Sequence, residues 1–448
     1  MNIKKIIILL GDILLMIGTL WLALLIRHNT DFSWDIFNTH WKIFGLLYLL
    51  WLPIFYSFSL YDIRANVYVI PLLTNLLRAT IFNTIIAIVY FYIISSDTNI
   101  TPKTILALNI ILLTIGMFLW RRIVISFSQA PALEKNIIFI GWDPLIKEML
   151  EDNLPFGYKI KAIFNTPSYL REGISLPIYN DLENLTEVIK KEKIQLIVLT
   201  NSLDREVTNK LFNLLKLRIN FISLTNFYEQ VFQIIPLSII NQSWFLENLS
   251  EGNKSLFEIL KRLLDIIFAV IFGIISLPFI PLIMLLIYLD SKGPIFFIQT
   301  RTGEDGKNFK AIKFRTMYQD SENKGPMWAK ENDPRTTKIG RFLRKLRIDE
   351  IPQLWNILIG EMSFVGPRPE RPEFIEDLVK SIPFYHERLL VKPGLTGWAQ
   401  INFPYTSTTE DSLKKLQFDL YYIKNRSLIL DWGIMLKTLN IILKGSGR

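Results

Sequence analysis

Long apolar runs separated by basic turns fill the first quarter of the chain. Residues 6–26, 43–60, 79–94 and 105–120 each approach the length that crosses about 30 Å of hydrocarbon, which predicts a bundle of four transmembrane helices. Lys4, Lys5, Arg64, Arg78, Arg121 and Arg122 fall on one side if the helices alternate, which places both ends of the bundle in the cytoplasm, with Arg27 and Lys42 as exceptions. The basic start and first apolar run have the outline of a signal peptide. They lack a small-residue cleavage site, and more spans follow, so this run reads as a retained helix.

After Asn136 the pattern changes to short apolar runs alternating with helical-period segments. Runs at 137–140, 160–164, 194–199 and 221–224, with helices near 144–153, 182–191 and 204–216 between them, predict a Rossmann-like parallel sheet. Its first turn, Gly141-Trp142-Asp143-Pro144, offers one glycine where a dinucleotide site needs G-x-G-x-x-G, and the second strand closes in Asn165-Thr166 without an acid. The expectation is a structural or regulatory domain.

A further apolar stretch, about 263–289, is long enough to span. Ser276-Leu277-Pro278 and Pro281 lie at its centre, where proline removes helix hydrogen bonds and bends the axis. Its flanks are basic on both sides, with Lys254, Lys261 and Arg262 before it and Lys292, Arg301, Lys307 and Lys310 after it. A crossing would put the second basic region outside, against the positive-inside trend, so the pattern favours a helix that enters, breaks and returns. The fold expected is therefore a membrane α plus α/β chain. It has a four-helix bundle over 1–125, an α/β cytoplasmic domain over 126–250 and a mostly α monotopic domain over 251–448.

Composition narrows the function. Half of the 448 residues are hydrophobic and the mean hydropathy is positive, too apolar for an ordinary soluble enzyme. With basic residues beside apolar segments, the net charge of +9 favours a membrane surface over nucleic acid. The absence of cysteine excludes disulfides, thiolate catalysis and cysteine-ligated zinc, and three scattered histidines, His28, His40 and His386, suggest no metal cluster. His386 sits in the charged segment His386-Glu387-Arg388 and reads as a solvated helix residue.

The candidate chemistry is concentrated in the last domain. Residues 337–347 alternate Ile339, Phe342, Leu343 and Leu346 with Lys338, Arg341, Arg344, Lys345 and Arg347 at helical spacing, the pattern of a basic interfacial helix. Ile351, Leu354, Trp355, Leu358 and Ile359 make a second stripe that ends at Gly360. Pro352 fits only the first turn of that helix, so its start falls near Asp349, where the helix dipole favours an ionised carboxylate and a nearby phosphate. Arg368 stands between Pro367 and Pro369, which limits its backbone freedom and suits bidentate phosphate contact. Read one at a time, Asp349 is equally a cap, Arg344 a lipid-facing arginine, Lys313 and Arg315 lipid anchors, and Arg368 half of a surface ion pair.

Together, Lys313-Phe314-Arg315-Thr316-Met317, Asp349-Glu350, Ser363-Phe364-Val365-Gly366-Pro367-Arg368-Pro369 and Lys392-Pro393-Gly394-Leu395-Thr396-Gly397-Trp398-Ala399-Gln400 resemble, in this order, the bacterial sugar transferase family. The whole chain looks like a large monotopic polyprenyl-phosphate phosphoglycosyl transferase. The resemblance implies Asp349 as nucleophile and Glu350 as a Mg²⁺ ligand, with Asp349 also near the ion. It implies Arg368, Arg344, Lys313 and Arg315 as phosphate-side residues, and a proline-broken re-entrant helix. The implied substrates are a UDP-sugar and undecaprenyl phosphate, with UMP released through a covalent phosphosugar-aspartate. The implied place is the cytoplasmic face of the bacterial inner membrane, at the start of exopolysaccharide, capsule or O-antigen assembly, and the likeness to large members is compatible with a homodimer. Gly394 and Gly397 suggest a tight turn. One departure matters: smaller members continue after Ala-Gln with Val-Asn-Gly-Arg, whereas this chain has Ile401-Asn402-Phe403-Pro404-Tyr405, so their sugar preference does not carry over. Two rivals stay open, a glycosyltransferase that releases UDP and a non-catalytic scaffold for polysaccharide assembly.

Overall fold

The computed structural model describes residues 3–63, 66, 68–94, 103–128, 134–151, 154, 157–165, 176–200, 204–217, 219–249, 255–319, 333–403 and 408–443. Arg64, Thr166, Lys254, Pro404 and Tyr405 lie outside the described residues, as does the side chain of Lys4. The chain divides into two compact units, Met1–Phe227 and Tyr228–Arg448.

The first unit opens with α1 (Ile3–His28), α2 (Trp34–Ser57), α3 (Val69–Ile94) and α4 (Lys103–Ser128). Leu20, Leu24, Phe44, Leu47, Trp51, Leu72 and Leu76 point inward and are fully buried, while Leu14, Leu49, Ile70, Ile81 and Ile115 are exposed. Apolar residues on both faces are what a helix between protein and lipid requires. Lys5–Asp31, Val69–Ile93 and Lys103–Phe127 are long and apolar enough to cross a membrane. The fourth such stretch is Ser255–Asp290, and α2, expected to cross over 43–60, does not meet that measure. Asp35, His40 and Lys42 make its first half too polar. Arg121, expected among the cytoplasmic-end charges, turns inward instead. Its Nη1 and Nη2 donate to the Asp12 carboxylate at 2.7 and 2.8 Å, and its Nε donates to the Leu60 carbonyl at 3.2 Å.

The same unit continues with β1 (Lys135–Ile140), α5 (Pro144–Glu151), β2 (Tyr158–Phe164), β3 (Ile178–Tyr179), α6 (Leu185–Lys191), β4 (Leu196–Leu199), α7 (Arg205–Asn213) and β5 (Asn220–Ser223), and ends at Phe227 within α8 (Leu224–Phe232). The strands form a parallel sheet in the order β3-β2-β1-β4-β5. Central β1 is buried on both faces from Ile137 to Ile140, as a parallel strand covered on both sides must be. The apolar runs and the helical-period segments between them anticipated seven of these elements within a few residues; two-residue β3 was too short to register, and α8 was not anticipated. Gly141 is left-handed, with φ of 91°, and a side chain there would meet Thr200 Oγ1 at 1.9 Å, so the first turn accepts only glycine.

In the second unit come α9 (Gln242–Asn248), α10 (Ser255–Ser276), a 3₁₀ turn at Leu277–Phe279, and α11 (Ile280–Asp290). The break falls where Pro278 and Pro281 cannot donate backbone hydrogen bonds, and the Ser276 hydroxyl donates to the Gly273 carbonyl at 3.0 Å beside it. Next are β6 (Phe296–Thr302) and β7 (Asn308–Phe314), which pair antiparallel from Phe296–Phe314 to Thr302–Asn308, then α12 (Lys338–Lys345). A 3₁₀ turn at Ile348–Gln353 leads into α13 (Leu354–Ile359), β8 (Ser363–Val365), α14 (Pro372–Ser381), β9 (Gly394–Thr396), α15 (Trp398–Asn402), α16 (Thr409–Asn425) and α17 (Leu428–Leu443). The Arg262 guanidinium caps α13, donating to the carbonyls of Ile357 and Leu358 at 2.6 and 2.7 Å, and left-handed Gly360 ends that helix as expected. At the far end of the broken pair, the Asp290 carboxylate accepts from the Ile339 amide at 2.9 Å and so caps α12. Both ends of the apolar stretch are thus bonded within one compact unit.

Candidate active site

Two backbone features present the acidic pair. Thr337 caps α12 through the Gly340 amide at 2.9 Å, and a side chain at Gly340 would come within 2.1 Å of the Thr316 carbonyl, so the helix lies directly against the segment that follows β7. Arg347 then takes left-handed φ of 55° and redirects the chain into the 3₁₀ turn that carries Asp349 and Glu350 inward. The start near Asp349 agrees with the proline argument, although the first turn is 3₁₀ and α begins only at Leu354.

Both carboxylates are buried, Asp349 6% and Glu350 5% exposed, yet their surroundings differ. Glu350 Oε1 accepts from Lys313 Nζ at 2.9 Å and from Arg368 Nη2 at 3.1 Å, and its Oε2 accepts from Arg347 Nη1 at 3.4 Å. Among the described residues none donates a hydrogen bond to the Asp349 carboxylate. Burial would raise the Glu350 carboxyl, but the charges of Lys313, Arg368 and Arg347 prevail and hold it well below the usual range. Asp349 moves the other way. Burial, then the Glu350 charge, push its carboxyl up against the pull of Lys313, Arg344 and Arg368, influences that the helix-end argument did not include.

The Pro-Arg-Pro segment is fixed by its own carbonyls. Those of Pro367, Arg368, Pro369 and Glu370 accept, in turn, from the Gly394 amide at 2.8 Å, Arg388 Nη2 at 3.0 Å, Arg301 Nη1 at 3.1 Å and the Thr302 amide at 2.9 Å. Arg388 is itself held by Asp419 at 2.8 Å and Tyr385 at 2.8 Å, and Lys415 Nζ donates to Glu370 at 2.5 Å. The cations Lys415, Arg388 and Arg301, against the cost of burial, bring the Glu370 carboxyl down to about 2. A side chain on Gly366 would meet the Lys392 carbonyl at 2.3 Å, and those on Gly394 and Gly397 would meet the Gly366 amide and carbonyl at 2.1 and 2.2 Å. Gly394 and Gly397 therefore allow close backbone approach where the sequence had suggested a tight turn. Gly366→Ala is expected to cost about 2 kcal/mol or more, since backbone must move to admit the methyl, and to lower the thermal unfolding midpoint of the full chain. An unchanged midpoint would contradict this packing.

The structure brings together Lys313, Arg344, Asp349, Glu350 and Arg368, with Pro367 and Pro369 flanking the last. Arg344 is steadied by the hydroxyls of Thr316 and Thr336 at 2.7 and 3.4 Å. Arg315 is not part of this group. Its guanidinium donates to the Ser291 carbonyl, the Ser291 hydroxyl at 3.0 Å and the Lys292 carbonyl at 3.2 Å, closing the chain after α11. Ser276, Pro278 and Pro281 sit in the break between α10 and α11. Arg301, Arg347, Glu370, Arg388, Lys415 and Asp419 were missed. Only the Lys415–Asp419 spacing, two charges one helical turn apart on α16, could have suggested a shared inward face.

The family model for bacterial sugar transferases matches residues 256–445. An Escherichia coli (strain K12) protein named UDP-glucose:undecaprenyl-phosphate glucose-1-phosphate transferase is 32% identical over 359 residues, 73% of this chain and 72% of that one. An Aeromonas hydrophila UDP-N-acetylgalactosamine-undecaprenyl-phosphate N-acetylgalactosaminephosphotransferase is 44% identical over 192 residues, 43% of this chain and 45% of its own. The chain thus spans less than half of that relative's length. A Rhizobium leguminosarum bv. phaseoli exopolysaccharide production protein is 39% identical over 189 residues, 40% of this chain and 93% of that one.

Proposed function

The chain belongs to the bacterial sugar transferase family, and from that premise we propose that it transfers a sugar-1-phosphate from a UDP-sugar to undecaprenyl phosphate, releasing UMP. The observation that carries this reading is the contrast within the acidic pair. Glu350 is engaged by Lys313, Arg347 and Arg368, whereas the Asp349 carboxylate beside it accepts no hydrogen bond among the described residues and is open to form a bond. An Asp349 oxygen attacks the sugar-bearing phosphorus, and the anhydride bond to UMP breaks with its electron pair leaving on UMP. An oxygen of the lipid phosphate then attacks the same phosphorus and expels the Asp349 carboxylate. Arg368, on its fixed loop, and Lys313 hold the diphosphate by charge and hydrogen bonds.

The donor set suits Mg²⁺, since Glu350 and Asp349 offer hard carboxylate oxygens and the remaining positions can be filled by diphosphate and water. Bound there, the ion would offset the phosphate charge that repels an incoming carboxylate. The β3-β2-β1-β4-β5 order supports a Rossmann-like domain. A re-entrant course for α10 and α11 is supported by Arg262 and Asp290, which tie both ends of the apolar pair to α13 and α12. That course meets a cytoplasmic nucleotide sugar and a lipid phosphate at one face of the inner membrane, the start of exopolysaccharide assembly. A homodimer fits the same arrangement.

The test is product identity. With nanodisc-held chain, Mg²⁺ and undecaprenyl phosphate, UDP-glucose and UDP-N-acetylgalactosamine lead a panel of UDP-sugars, and the expected product is UMP. Release of UDP would make it a conventional glycosyltransferase, and silence across the panel would favour a scaffold role.

A further inference from the structure

One turn of α10 holds the chain on both sides of the bend that separates the acidic pair from the Pro-Arg-Pro loop. In chain order, Asp349 and Glu350 lead through α13 to a turn at 360–362, and then through β8 to Gly366 and Arg368. Before that turn, Arg262 donates to the carbonyls of Ile357 and Leu358 at 2.6 and 2.7 Å. After it, the Asp265 carboxylate accepts from the Phe364 amide at 3.1 Å, and Lys261 Nζ donates to the Val365 carbonyl at 3.0 Å. Inside the turn, the Asn356 carbonyl accepts from the Glu361 and Met362 amides at 3.0 and 3.2 Å, so the α10 side chains reach past it in both directions. Lys261, Arg262 and Asp265 lie within about one helical turn of each other, and one rigid element therefore grips both segments.

The grip is made of buried charge. Asp265 is 6% and Asp431 5% exposed; Lys261 Nζ also donates to Asp431 Oδ2 at 2.6 Å, and the Tyr422 hydroxyl lies 2.9 Å from Asp431 Oδ1 and 3.1 Å from the Val365 carbonyl. An apolar seam would join a helix to a strand at less cost in desolvation, but it would not fix which backbone atoms meet. We infer that Lys261, Arg262 and Asp265 are positioning residues, a brace that sets the angle of the bend and so the placement of Arg368 against Asp349 and Glu350. Resting on the reaction proposed above, the brace decides how the donor phosphorus is presented to its nucleophile, and it acts through α13 and β8. Because α10 continues into the apolar stretch, the same turn ties that geometry to the membrane helix.

The test uses the full chain in nanodiscs as wild type, Asp265→Leu, Asp265→Asn and Arg262→Met, each assayed below its own unfolding midpoint. Asparagine keeps an oxygen for the Phe364 amide and leucine does not, so this pair separates the bond from the bulk of the side chain. With the UDP-sugar that wild type turns over, kcat in Asp265→Leu and Arg262→Met is expected to fall roughly tenfold or more while either KM changes by less than about threefold, since every ligand-binding group stays and only its placement shifts. Asp265→Asn should keep most of the wild-type kcat. Contacts that served stability alone would lower the unfolding midpoint and leave kcat per folded molecule unchanged; that result would overturn the inference, as would an asparagine variant as slow as the leucine one. The chain has no cysteine, so spin labels at Ile359→Cys on α13 and Glu376→Cys on α14, both exposed positions, report the bend without turnover. Their distance distribution should shift or broaden in Asp265→Leu and hold in Asp265→Asn. Should wild type release no UMP, the proposed reaction fails and this distance still decides, an identical distribution in wild type and Asp265→Leu overturning the brace.

Discussion

Asp349→Asn is expected to lower lipid-dependent UMP release by at least about a thousandfold and to abolish the phosphosugar adduct, because an amide cannot supply the anionic oxygen that attacks phosphorus. The substitution is nearly isosteric, and no hydrogen bond to the native carboxylate is lost among the described residues. The fold should survive it, and removing a buried carboxylate relieves the repulsion that Glu350 exerts on it. A full-length variant with unchanged thermal unfolding and no adduct by intact mass would assign the chemistry to this side chain. Substantial turnover in a pure preparation would remove Asp349 from the nucleophile's place and return the conventional glycosyltransferase reading to the front. Glu350→Gln makes a useful contrast, since it unbalances Lys313, Arg347 and Arg368 together.

The second large effect is expected far from this chemistry. Asp12 and Arg121 meet inside the bundle with both oxygens and both terminal nitrogens engaged, and neither side chain is more than 2% exposed. Breaking such a pair from one side leaves an uncompensated charge in an apolar interior, at a cost of about 3–5 kcal/mol. Asp12→Leu or Arg121→Met alone should therefore sharply reduce folded yield and the unfolding temperature in detergent. The double variant should recover much of the loss, because two apolar side chains of similar bulk leave no unpaired charge, and the hydrogen bond to the Leu60 carbonyl is what the described residues lose besides the pair. A double variant no better than either single one would show that the pair is not the source of the penalty.

Much of this was legible from local pattern. Apolar runs located four of the five strands of the sheet, prolines located the break between α10 and α11, and Pro352 with Gly360 bounded the segment that carries Asp349. What local pattern could not show is burial and pairing over distance. Arg388, which the sequence showed only as part of a charged segment, is 2% exposed and bonds Asp419 across 31 residues, a relation that leaves no period in the sequence. Lys313 and Arg315 stand two apart, which on a continuing strand would put them on one face. The strand stops at Phe314, so Arg315 departs toward Ser291 while Lys313 stays beside Glu350. The dipole argument for Asp349 counted a helix end and could not count burial and the Glu350 charge, which push its carboxyl up.

The four held carbonyls from Pro367 to Glu370 have a consequence for how donors are told apart. A segment so constrained has little room to reshape itself, and under the proposed function it would serve as a fixed reference for the donor diphosphate. Under the proposed function, a UDP-sugar anchored there would present its phosphorus to Asp349 in one way whatever hexose it bears. Discrimination among sugars then falls to residues that line the space beyond the diphosphate, and exchanging those should retune the choice of sugar while the bond-making geometry stays in register.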